Sequence, residues 1–137
     1  MRVMAAAGLD IEGRPSRRVD AATLEEADLI VAMAQRHLLE VVTINRAARE
    51  RSFTLVDLMN RAQRVGPRTA DESLSEWAQL LSAGRRKGSI LGSATSDDIV
   101  DPMGGSLKTY KKVAKVIDQL TDELAVRLCP AAPRPRV

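Results

Sequence analysis

"DDIVDPMGGSLKTYKKVAKVI", residues 97–117, puts an Asp-Pro pair on a short loop, follows it with two glycines and then opens a long helix. Pro102 fixes its own φ and stiffens the loop. Gly104 and Gly105 permit a close turn into the helix, and Ser106 is a good N-cap. Leu107, Tyr110, Val113, Ala114, Ile117, Leu120, Leu124 and Leu128 recur at three and four residues, which predicts one helix with an apolar stripe. Pro130 is expected to stop it. Lys108, Lys111, Lys112 and Lys115 fall on the other side. Lysines in the first turns oppose the helix dipole, so helix stability is not their reason. They form either a solvated face or a surface for an anion or a partner. Asp-Pro alone is a common way to leave a loop. Here it also resembles an acid held over a site, with Asp101 as the acid and Asp97 and Asp98 as loop or capping residues.

Upstream, the pattern is that of an α/β chain. "MRVMAAAG" predicts a short helix with Gly8 as its C-cap, and Leu9 and Ile11 then start an extended stretch. Thr23 with Glu26 three residues later suggests a capping box for a short helix. Leu29 to Met33 is a compact apolar run of the kind that suits a strand covered on both faces. "AQRHLLEVVTI" has helical spacing, with Leu38, Leu39 and Val42 on one side. "SFTLVDL" is a second strand-like run. Strand, helix and strand in this order are a βαβ unit and predict a parallel sheet. Residues 64–98 are looser, with turn composition around one helix that has Leu74, Trp77 and Leu81 on one face and Thr69 or Asp71 as its cap. Trp77 is read as packing. Residues 1–128 form one domain, and the Pro-rich residues 129–137 are expected to be a disordered tail.

Composition excludes several classes. The chain has 137 residues, 45% of them hydrophobic but only 2% aromatic, so the core must be built from Ala, Val, Leu, Ile and Met. Net charge is +3, with 21 basic residues interleaved among 18 acidic ones, which gives no argument for nucleic acid. One cysteine, Cys129, and one histidine, His37, leave no disulfide framework, no Cys/His metal site and no expected cofactor. No apolar stretch approaches a membrane span and no signal peptide is visible, so the expected location is cytoplasmic.

"GLDIEGRPSRRV", "EEADLIVAMAQRHLLEVV", "SFTLVDL" and "DDIVDPMGGSLKTYKKVAKVIDQLTDEL" together resemble the low-molecular-weight protein-tyrosine phosphatases, with arsenate reductases of the same fold as relatives. The resemblance implies a four-stranded parallel sheet with helices on both faces, and makes residues 64–96 a variable insertion. It also implies hydrolysis of phosphotyrosine proteins or small phosphomonoesters through a cysteinyl-phosphate. It makes Asp101 the general acid that protonates the leaving oxygen. Met103 takes the place of an aromatic that usually follows Asp-Pro and lines the substrate slot. Arg17 or Arg18 could lie near the site, though both also read as a solvated loop.

The family's nucleophile loop, Cys, five residues, Arg, then Ser or Thr, does not occur in these 137 residues. Cys129 does not replace it. Four residues separate it from Arg134, Pro130 and Pro133 remove N–H groups a phosphate cradle needs, and the segment follows a helix instead of opening one. By resemblance the chain starts where the family's second helix would be ending, so roughly a βαβ unit is expected to be missing. Three explanations follow: a misplaced start, a degraded gene, or an inactive module completed by a partner or a second copy. As written, the chain is expected to be inactive. The rival readings are a non-catalytic pseudophosphatase that binds or regulates a protein, and an arsenate reductase relative. The latter is disfavoured by the lack of a resolving cysteine pair. A helical nucleic-acid binder is the weakest reading.

Overall fold

The computed structural model describes residues 2–85 and 97–129. It is an α/β fold in which a small parallel sheet is flanked by helices. The elements run α1 (Arg2–Ala6), α2 (Ala21–Glu26), β1 (Ile30–Ala32), α3 (Gln35–Ile44), a 3₁₀ segment (Arg46–Arg51), β2 (Ser52–Thr54), α4 (Leu55–Val65), α5 (Leu74–Ser82) and α6 (Leu107–Leu128). β1 and β2 pair in parallel, with Ile30 opposite Ser52, Val31 opposite Phe53 and Ala32 opposite Thr54. The predicted βαβ unit is therefore present, with α3 and the 3₁₀ segment as its crossover.

The sheet is asymmetric. All three residues of β2 are buried, but in β1 only Ala32 is. The reason is what each strand meets. Phe53 joins Leu55, Leu58, Met59 and Ala62 of α4, Trp77, Ala78 and Leu81 of α5, and Leu124 of α6 in the main core. A smaller cluster of Leu24, Val41 and Ala48 lies under Ile30. Trp77 is fully buried and its indole N–H donates to the Gly66 carbonyl at 3.1 Å, so its polar atom is satisfied inside the core. That confirms Trp77 as a packing residue and places α5 in the core.

Local sequence sets the helix ends. Gly8, at φ +74°, closes α1: its N–H bonds the Ala5 carbonyl and the Leu9 N–H bonds that of Met4, a Schellman motif. Beyond it, residues 9–19 form no strand. The Asp10 carboxylate accepts from the Glu12 N–H, a side-chain turn that competes with extended pairing. Asp20, not Thr23, caps α2, accepting from the Thr23 N–H at 2.8 Å. Ser73, not Thr69 or Asp71, caps α5 through a complete capping box with Glu76. On α3 the buried residues are Leu38 and Val41, while Leu39 is exposed.

The largest correction concerns "SFTLVDL". Only Ser52–Thr54 is strand; Leu55 already belongs to α4. The Thr54 hydroxyl accepts from the Asp57 N–H at 3.1 Å and ends the strand by starting the helix. In α6, Ser106 caps the helix as expected, but Leu107 and Tyr110 are exposed. Packing begins only at Val113, because α6 meets the body through α4 and α1. Arg68 secures its far end. Its side chain donates to the Leu128 and Glu72 carbonyls at 2.9 and 2.6 Å, and its own N–H to the Arg127 carbonyl. Carbonyls left over at a helix C-terminus thereby gain donors. The Pro130 stop, the Pro-rich residues 130–137 and residues 86–96 of the expected insertion lie outside the described residues.

Candidate functional site

In an open parallel sheet, functional groups gather outside the carboxyl ends of the strands. Here those ends are Ala32 and Thr54, each running within three residues into a helix N-terminus. The Asp-Pro loop is fastened at the β1 end by three contacts. The Ile99 N–H donates to the Met33 carbonyl at 2.8 Å. The Asp98 carboxylate accepts from the Gln35 N–H, also at 2.8 Å. Asp101 lies 3.7 Å from the Arg36 guanidinium. Ala34, the residue before α3, has no side-chain oxygen to cap its own helix. Asp98 supplies that cap from 63 positions away in sequence, so the capping role read for it is real but serves a helix other than its neighbour.

Asp101 itself sits in an Asx turn, accepting from the Met103 N–H at 2.9 Å. Its side chain is half exposed, and the Arg36 side chain opposite is more so. The carboxylate is thus held in direction by its own loop while keeping an open face. Met103 is 82% exposed at the rim and Val100 beside it 66%. Gly104 takes φ +79°. Gly105 is constrained by space: a Cβ there would stand 2.9 Å from the Pro102 carbonyl oxygen and 3.3 Å from the Thr109 side chain. The loop and the first turn of α6 are packed as one piece.

A second group lies at the β2 end. Asp57, in the first turn of α4, pairs with Arg61 at 2.9 Å and with Arg85 at 3.6 Å. Arg85 also donates to the Arg49 and Ser52 carbonyls at 2.6 and 2.5 Å, and stacks over the Phe53 ring at 4.3 Å. Burial lowers its affinity for a proton, Arg61 adds to this, and Asp57 opposes it. This network fixes β2. Asp97 faces it: burial first, then the Asp57 and Asp98 carboxylates, push its pKa above the ordinary carboxylate value, against Arg61.

Other expectations separate from the site. Cys129 is exposed at the C-cap of α6. The helix has 22 residues, so the thiol lies about 33 Å along its axis from the Asp-Pro loop. Arg17 lies beside Asp20. Arg18 lines a cavity of about 650 Å³ on the outer side of α3, with Val19, His37, Leu39 and Ile44. The arginine that reaches Asp101 is Arg36, which the sequence reading missed. Its position just past the β1 run, on the first turn of the following helix, was the available signal. Arg36 also bridges back to the cavity, donating to His37 Nε2 at 3.3 Å.

Fold and loops define a parallel α/β protein with an acid-bearing loop pinned over the carboxyl end of a strand. Among known families, residues 1–71 match the low molecular weight phosphotyrosine protein phosphatases. The chain belongs to that family. The matched span includes β1, α3, β2 and α4 and stops short of the Asp-Pro loop. No curated protein and no solved structure matches the chain. Among the described residues no helix is long and apolar enough to cross a membrane, and no cluster of three metal-ligating side chains occurs.

Proposed function

We propose that this chain carries the acid-bearing part of a phosphotyrosine or phosphomonoester hydrolase, with Asp101 as the proton donor. The observation that carries the reading is the fastening of the Asp-Pro loop to residues 33–36 at the carboxyl end of β1. A phosphomonoester resists cleavage because its leaving oxygen departs with negative charge. A carboxylic acid at hydrogen-bond reach of that oxygen removes the charge by protonating it as the P–O bond breaks. The Asx turn fixes the carboxyl's direction, Met103 and Val100 offer apolar surface for an aryl group, and Arg36 offers a cation at the rim. The attacking group is not among these 137 residues, which contain no Cys, five residues, Arg pattern. A second reading, a non-catalytic binding module of this family, keeps the same loop without an attacking group, since the thiol of Cys129 lies exposed at the far end of α6.

The test is hydrolysis of p-nitrophenyl phosphate by the 137-residue chain beside a form extended at its N-terminus. Turnover is expected only in a form that supplies the Cys–Arg loop, with a fall of about 10²–10⁴-fold for Asp101→Asn. Equal activity of Asp101→Asn and the parent would remove Asp101 from the role.

A further inference from the structure

The charge order of α6 is the reverse of what its dipole favours. Lys108, Lys111, Lys112 and Lys115 occupy its N-terminal half, and Asp118, Asp122 and Glu123 follow later. All four lysines are exposed, and none pairs with a carboxylate among the described residues. Their spacing of three, four and seven residues makes one stripe. The same turns leave apolar surface uncovered, with Leu107 52% and Tyr110 38% exposed. Val100 and Met103, in the loop with Asp101 just before the helix, are exposed as well. The tight approach of Gly105 to Thr109 locks the loop against this first turn, so the acid and the stripe keep a fixed relation.

We infer that the first two turns of α6 are a docking surface for acidic residues flanking the phosphotyrosine of a protein substrate. The inference rests on the reading of Asp101 given above and adds the substrate's sequence preference. A phosphate brought to Asp101 carries its neighbouring residues past Met103 and onto α6. From Lys108 to Lys115 the helix rises about 10 Å, the length of about three extended residues. Four unpaired ammonium groups in one stripe fit a run of Glu or Asp side chains by charge. They explain why the helix keeps cations at the end where they weaken it.

The probe is fluorescence anisotropy of labelled peptides with the N-terminally extended form that supplies the Cys–Arg loop, since these 137 residues hold no such cradle for the phosphate. One peptide carries phosphotyrosine flanked by Glu, a second carries phosphotyrosine flanked by Ser, and a third is the Glu peptide with plain tyrosine. The Glu-flanked phosphopeptide is expected to bind about tenfold more tightly than the Ser-flanked one. That advantage should shrink with added salt and vanish in Lys108→Glu/Lys111→Glu/Lys112→Glu/Lys115→Glu. The variant follows the helix dipole, so it should fold at least as well, and circular dichroism checks that. Phosphate-dependent binding with no flank preference overturns the docking surface and leaves the site reading intact. A flank preference equal for phosphotyrosine and tyrosine keeps the surface and overturns the site reading. Lysine-dependent sedimentation with anionic vesicles, without peptide binding, overturns the inference in favour of a lipid surface, and failure of every peptide overturns it outright.

Discussion

β2 and β1 lie side by side, yet the molecule treats them differently. β2 is buried at every residue, roofed by α4 and α5 and strapped by Arg85. β1 is half covered and carries its contacts at its end, where the Asp-Pro loop is tied on. Fully packed interiors rearrange little, and recognition gathers where loops meet rigid elements. The contrast separates a framework, β2 with α4, α5 and the later turns of α6, from a working edge made of β1, α3 and the loop.

Four measurements can break or sharpen that division. On the framework side, Trp77→Ala should cost about 3–5 kcal/mol in urea unfolding, because it opens a cavity and strands the Gly66 carbonyl. Leu39→Ala on the working edge should cost less than about 0.5 kcal/mol. Similar losses for the two would abolish the distinction. Next, Arg85→Ala should cost about 2–3 kcal/mol, since two carbonyls of the β2 region lose their donor and Asp57 loses one of its two cations. Arg36→Ala, which removes an exposed ion pair and an exposed hydrogen bond to His37, should cost less than about 1 kcal/mol. A smaller effect is expected from Asp98→Ala, which removes the α3 cap: about 1 kcal/mol, with faster amide exchange at Gln35. Unchanged protection at Gln35 would mean the loop is not fastened there.

The finest probe is Asp97, where framework and loop meet. Its folded pKa lies above the unfolded value, so the folded state holds its proton more tightly. Its ionisation therefore works against folding. The penalty is absent below the ordinary carboxylate pKa and grows as pH rises through the raised one. Asp97→Asn should accordingly raise stability at pH 7 and leave it unchanged at pH 3. A gain at both pH values would point to something other than charge.

Long periodic segments were legible from sequence alone. The Ser106 cap, the α6 stripe from Val113 onward, the β1 run and the helix after it appear where the pattern put them, while Leu107 and Tyr110 do not pack. Trp77 was legible as core because it recurs with Leu74 and Leu81 on one face. α4 was not, because "SFTLVDL" is short and apolar and periodicity cannot divide such a run between strand and helix. Thr54 with Asp57 three residues on carried the missing signal. The caps at Asp20 and Ser73 were misplaced by a few residues, since several Ser, Thr and Asp compete within one turn. In the candidate site, the Asp101 turn could be read locally. The pairing with Arg36 and the capping of α3 by Asp98 could not, since they join residues far apart in sequence.

That last tie has a consequence for how the chain is made. Gln35 and Asp98 are 63 positions apart. A ribosome adding about 5–20 residues per second emits Asp98 about 3–13 s after Gln35. Throughout that interval the start of α3 lacks the Asp98 cap. Release of residues 97–101 therefore adds about 1 kcal/mol to a helix that the chain encoded seconds earlier.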